Sequence, residues 1–158
     1  MTPLLSMMLA AALSDGASPA GKPDFTGLWK MDVARSESAA QETTTAALVM
    51  EIVQTGTSLQ VETSRGGEPQ LTRYPIQAEP LAPTELTGQR RAFWDGGKLI
   101  SEGAVDIEGK TVAFREVRTP QAGGSEMVVE TTVKVEHGYQ LPGVETMVTG
   151  RNTYVRAR

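Results

Sequence analysis

The chain contains no cysteine. That excludes disulfides, thiolate catalysis and cysteine-bound zinc together. Histidine is almost as scarce, with His137 alone. A Ser-His-Asp triad therefore has one candidate base, and a multi-histidine metal site cannot be built within one chain. His137 stands beside Gly138 in a turn-like stretch and reads as a solvated loop residue. Fifteen Lys and Arg against nineteen Asp and Glu give a net charge of −4, with no concentrated basic patch of the kind nucleic acid requires. There is no Gly-rich phosphate loop at a strand–helix junction, no nucleophile elbow and no run of metal ligands. Carboxylates are plentiful, but no pair stands out as an acid/base couple. No cofactor and no metal are expected. No apolar run reaches the ~20 residues that span a bilayer, so no transmembrane segment is expected.

What is present begins with a leader-like segment. Pro3 to Leu13 is apolar apart from Ser6, the length of a signal-peptide core of ~7–15 residues. Ser18-Pro19-Ala20 places small residues where a signal peptidase reads, although no Lys or Arg precedes the apolar run. The expectation is a signal peptide over 1–20, a mature domain over 21–158, and export to the periplasm or medium. A buried N-terminal helix is the alternative reading of the same run. With no Cys after it, lipoprotein anchoring is excluded.

Beyond Lys22 the pattern is β throughout. Apolar alternation of period two recurs between Gly-containing turns at Thr55-Gly56, Gly66-Gly67, Gly96-Gly97, Glu108-Gly109 and His137-Gly138. Nine strands are predicted, over 25–31, 46–54, 58–64, 70–77, 86–95, 98–107, 110–118, 126–136 and 144–157, with one short helix over Ser36–Glu42. Side chains alternate between faces, so hairpin register can be tested against burial. A Gly96-Gly97 turn sets Trp94 against Leu99, Ala92 against Ser101 and Arg90 against Gly103. A Glu108-Gly109 turn sets Val105 against Val112, Gly103 against Phe114 and Ser101 against Glu116. Both registers give one apolar face, and one polar face on which Glu102 sits between Arg91 and Arg115 as a surface cluster. A Thr55-Gly56 turn sets Ile52 against Leu59 and Met50 against Val61. A Gly66-Gly67 turn sets Val61 against Thr72 and Leu59 against Tyr74. A sheet of consecutive hairpins with one apolar face must be covered or must close. Too few helical residues exist to cover it, so an antiparallel up-and-down β-barrel of about eight to ten strands is predicted. Pro75 predicts a gap or bend in its strand.

The run Phe25-Thr26-Gly27-Leu28-Trp29-Lys30-Met31-Asp32, followed by Arg35-Ser36, resembles the opening of a group of exported bacterial lipocalin-like, calycin-type proteins. Trp94-Asp95-Gly96 and the closing Thr153-Tyr154-Val155-Arg156 are similar to that group as well. The resemblance is close over 23–36 and loose elsewhere, and it implies a fold more than an activity. It implies that Gly27 and Trp29 are structural. It also implies that Trp29 plugs the closed barrel end beneath an arginine from a late strand, Arg151 or Arg156.

One anomaly remains on the inward face. Arg90 and Glu116 lie there among Gly88, Ala92, Ser101 and Gly103, and buried charges are costly unless paired. They are read either as an internal ion pair, as side chains reaching water at the open mouth, or as a ligand anchor within a cavity lined by Tyr74, Trp94 and Phe114. The favoured function is binding or carriage of a small apolar or amphipathic ligand, anionic ligands included. The alternatives are a cell-envelope interaction module with a filled barrel, and an enzyme using Arg90 and Glu116 for acid/base chemistry.

Overall fold

The computed structural model describes residues 21–37, 48–78, 88–136 and 145–158. The leader expected over 1–20, the expected helix beyond Glu37, and His137 with its turn lie outside the described residues. Nine strands close into one barrel in chain order. They are β1 (Gly27–Glu37), β2 (Val49–Gln54), β3 (Ser58–Ser64), β4 (Gln70–Gln77), β5 (Arg90–Asp95), β6 (Lys98–Ile107), β7 (Lys110–Gln121), β8 (Glu126–Glu136) and β9 (Glu145–Arg156). Ser36 and Glu37 belong to β1 and not to a helix. Ser36 Oγ accepts from Thr153 N at 3.0 Å and donates to Asp32 O at 2.6 Å, which ties the strand's end to β9. The helical turn that is described, Ala122–Gly124, links β7 to β8. Among the described residues no helix is long and apolar enough to cross a membrane.

Closure imposes a parity rule. If every neighbour in a closed ring ran antiparallel, the number of strands would have to be even. With nine, one pair must run parallel, and it is β4–β5. That pair is also the shortest, joined only at Ile76↔Ala92 and Gln77↔Phe93. It begins immediately after Pro75, which has no N–H to contribute to a ladder.

Registers follow the period-two pattern. Trp94↔Leu99, Ala92↔Ser101, Gly103↔Phe114, Ser101↔Glu116 and Leu59↔Tyr74 all pair as the turns predict. The β2–β3 hairpin differs. Ile52 faces Val61 and Met50 faces Thr63, two positions from the expectation. The turn is Gly56-Thr57, because Thr55 Oγ1 accepts from Thr57 N and Ser58 N at 3.3 and 3.0 Å and holds Thr55 as the last paired residue. A shift of two leaves each side chain on its own face.

The inward rows bury Trp29, Met31, Met50, Ile52, Leu59, Tyr74, Leu99, Met127, Val129 and Tyr154. β1, β3, β6 and β8 start at one end of the barrel, and Phe25 and Trp29 fill that end. Trp29 Nε1 donates to Phe25 O at 2.8 Å. Phe25 stacks on Trp94 with ring centroids 6.3 Å apart. Gln54 receives Phe25 N at 3.1 Å and donates to Pro23 O at 3.0 Å, fixing the entering chain. Arg156 lies over the Trp29 ring, 4.2 Å from its centroid, and donates to Thr26 O, Asp24 O and Gly124 O. Arg151 is exposed. Gly27 is required beneath Arg156: its φ is +142°, and a Cβ there would stand 2.6 Å from the guanidinium.

Candidate functional site

The barrel interior holds a hollow of about 280 Å³. Its apolar wall comes from Leu48, Met50, Val61 and Val129, and its polar wall from three threonines, Tyr74, Tyr154, Asn152, Glu116 and Arg65. Alternation explains this lining, since residues two apart on β2, β3, β4, β7, β8 and β9 share the inner face. Arg65 is exposed, beyond the end of β3 and opposite the Trp29 end.

Among the residues proposed from sequence, Tyr74 and Glu116 line this hollow. Trp94 does not, because it packs on Phe25 at the closed end. Phe114 lies beside the hollow, edge-on to Tyr74 at 6.4 Å. Phe114 fits because Gly103 faces it from β6, where a Cβ would come within 2.7 Å of the ring and 2.8 Å of Gln89 O. Arg90 lies on the inward row of β5 but is its first residue, and it is exposed. Glu116 does not pair with Arg90. Its partner is Arg118, two residues along its own strand and closer than a diagonal neighbour a strand away.

Arg118 was missed by the sequence reading, although the inward row Phe114, Glu116 runs directly to it. It is fully buried. Its Nη2 donates to Glu116 Oε2 at 2.5 Å and its Nη1 to Ser101 Oγ at 2.6 Å, while Ser101 Oγ reaches the same Glu116 oxygen at 3.4 Å. Its Nε is buried and has no partner among the described residues. The phenols of Tyr74 and Tyr154 are pushed up to about 12, first by burial and then by the negative charge of Glu116, with Arg118 opposing.

On the outer face, Glu102 lies between Arg91 and Arg115, as the register requires. Arg91 Nε donates to Glu102 Oε1 at 2.7 Å, and Arg115 stands 4.0 Å from the other oxygen. The pair is not a surface cluster, however, since the side chains are only 4% and 10% exposed. Register assigns a face but carries no information on what covers it.

A wider open groove of about 610 Å³ crosses the closed end between Pro23–Phe25 and the 122–124 turn. Arg156 lines it, but the guanidinium's hydrogen bonds already go to three backbone carbonyls. Among the described residues no group of His, Asp and Glu could hold a metal ion.

No protein-family model matches the chain, and no curated protein matches it significantly in sequence. Solved structures do match. Apo Caenorhabditis elegans lipid binding protein 8 aligns with a TM-score of 0.51 at 15% identity, over 84% of this chain and 95% of that one. The fluorescent protein UnaG gives 0.49 at 18% identity, over 84% and 97%. The fatty acid transporter REP1-NXSQ gives 0.45 at 17% identity, over 85% and 97%. The likeness to the nematode protein shows a shared fold, the closed β-barrel.

Proposed function

We propose that this protein binds a small, partly apolar ligand inside its barrel. The observation that carries the reading is the interior hollow, apolar on one wall and furnished with a few convergent polar groups on the other. At about 280 Å³ it lies at the lower edge of the ~300–1,000 Å³ usual for small-molecule pockets, so a compact ligand fits it best. The nematode protein of similar fold is named for lipid binding, which supports the same reading. Tyr74 and Glu116 are assigned to ligand contact, Phe114 to shaping the wall, and Arg90 to the mouth. The test is binding of the neutral dye Nile red, followed by its fluorescence. Val129→Trp, which fills the hollow from β8, should abolish dye binding while the barrel still melts cooperatively. Undiminished dye binding in that variant would place the ligand elsewhere.

We also propose that the protein is exported and belongs with the exported bacterial barrels that its Phe25–Lys30 motif resembles. The apolar run over Pro3–Leu13 and the small residues at Ser18–Ala20 support this. N-terminal sequencing of the protein from its own source should begin near Gly21. Cytoplasmic material with Met1 intact would overturn it.

A further inference from the structure

The polar wall of the hollow is chemically one-sided. Arg118 supplies the nearest positive charge, but it is fully buried and is not among the residues lining the cavity. Both its terminal nitrogens are committed, one to Glu116 and one to Ser101. Glu116, by contrast, faces the hollow with its side chain 26% exposed. A carboxylate offers about four acceptor positions on two oxygens. Arg118 and Ser101 both engage Oε2. Oε1 is left to accept from whatever occupies the cavity. The other charged lining residue, Arg65, is exposed at the opposite end from Trp29, so among the charged residues that line the hollow the cation stands at the rim. Tyr74 and Tyr154 stay protonated at neutral pH and add no charge.

We propose that Glu116 makes this cavity selective for ligands whose buried end is a hydrogen-bond donor, an alcohol or an amine, over ligands ending in a carboxylate. The inference rests on the barrel-binding reading and specifies its chemistry. A donor completes the unused capacity of Oε1. A carboxylate instead meets a like charge in a site of low dielectric, where such juxtapositions are strongly unfavourable. Arg118 offsets part of that repulsion through space, as it does at the two phenols, but the influence of Glu116 there is the larger, and turning toward the ligand would strip both Ser101 and Glu116 of their partner.

The test uses three probes with the same tail, namely decanol, decylamine and decanoate, each displacing Nile red from the full chain. Decanol and decylamine should displace the dye at concentrations roughly tenfold or more below decanoate. Glu116→Gln keeps an acceptor oxygen for Arg118 while removing the charge. It should improve decanoate and weaken decylamine, each by about tenfold. Should that variant fold poorly, the double change Glu116→Leu with Arg118→Met removes both charges together, and the three probes should converge on it. Decanoate binding the wild-type chain as tightly as decanol would overturn the proposal, as would an unchanged ranking of the probes in the variants. Displacement by all three alike would overturn this proposal alone. Failure of every probe to displace the dye, or of the dye to bind, would overturn the barrel-binding reading with it.

Discussion

The closed end and the hollow are built from similar parts but commit them differently. At the closed end Arg156 gives hydrogen bonds to three backbone carbonyls and its cationic face to Trp29. Gln54 uses both ends of its amide on the entering chain. Beside the hollow, Arg118 is more deeply buried than the half-buried Arg156 and bonds to side chains instead of backbone, and its partner Glu116 lines the cavity with only one oxygen engaged among the described residues. The difference separates two roles for a buried charge. An arginine satisfied by the backbone holds strand ends together. A carboxylate satisfied on one side holds a partner in place and remains able to choose a guest.

The sharpest way to break the comparison is at Trp29. Trp29→Ala should cost about 3–5 kcal/mol, the usual range for emptying a buried aromatic site, and should lower the melting temperature equally with and without Nile red. A variant of unchanged stability would show that the closed end contributes little. Next comes the pair in the hollow. Glu116→Leu alone strands a fully buried guanidinium and should cost roughly 3–5 kcal/mol, whereas adding Arg118→Met should restore most of it. Denaturant melts of the three proteins decide this, and a double variant no more stable than the single one would refute it.

A smaller effect sharpens the electrostatic side. Tyr74 and Tyr154 have folded pKa values of about 12 against an ordinary 10, so the folded barrel holds those protons more tightly than the unfolded chain. The corresponding stability is fully present below pH 10 and is lost as pH rises through 12. Ultraviolet titration of tyrosinate should show Tyr74 and Tyr154 ionising late, and stability should decline over the same interval. Ordinary ionisation of both would contradict the burial of the hollow's phenols. The smallest effect is at the turn by the closed end. Ala122 has φ +49°, a region that costs a side chain about 1–2 kcal/mol. Ala122→Gly should therefore stabilise the protein by up to about 1 kcal/mol after the greater freedom of glycine in the unfolded chain is subtracted. Thermal melts that show a loss would rule it out.

Much of the barrel was legible because strand period is rigid. Once Gly96-Gly97 and Glu108-Gly109 were placed, the partners of Ser101, Gly103 and Leu99 followed without adjustment. What escaped lay in dimensions that period does not encode. Face is set by parity, but depth along the barrel axis is not. Arg90 and Ala92 therefore share a row while one is exposed and the other buried. Arg118 was legible in principle, one step further along the row that contained Phe114 and Glu116. The β2–β3 slip came from a side chain acting on the backbone, Thr55 Oγ1 capping its own turn, which a Gly-centred reading of turns overlooks.

The lone parallel seam has a consequence for how the barrel opens. Alternating direction around a ring of nine is frustrated, as antiferromagnetic spins are on an odd ring: one bond must be wrong, and only its position is free. Here the mismatch coincides with Pro75, a residue already unable to donate to a ladder, so two defects share one location instead of weakening two walls. A barrel with a single short seam has a preferred line of rupture. Under thermal fluctuation or mechanical load the wall should part first between β4 and β5, leaving the remaining eight seams as a continuous sheet that can close again in register.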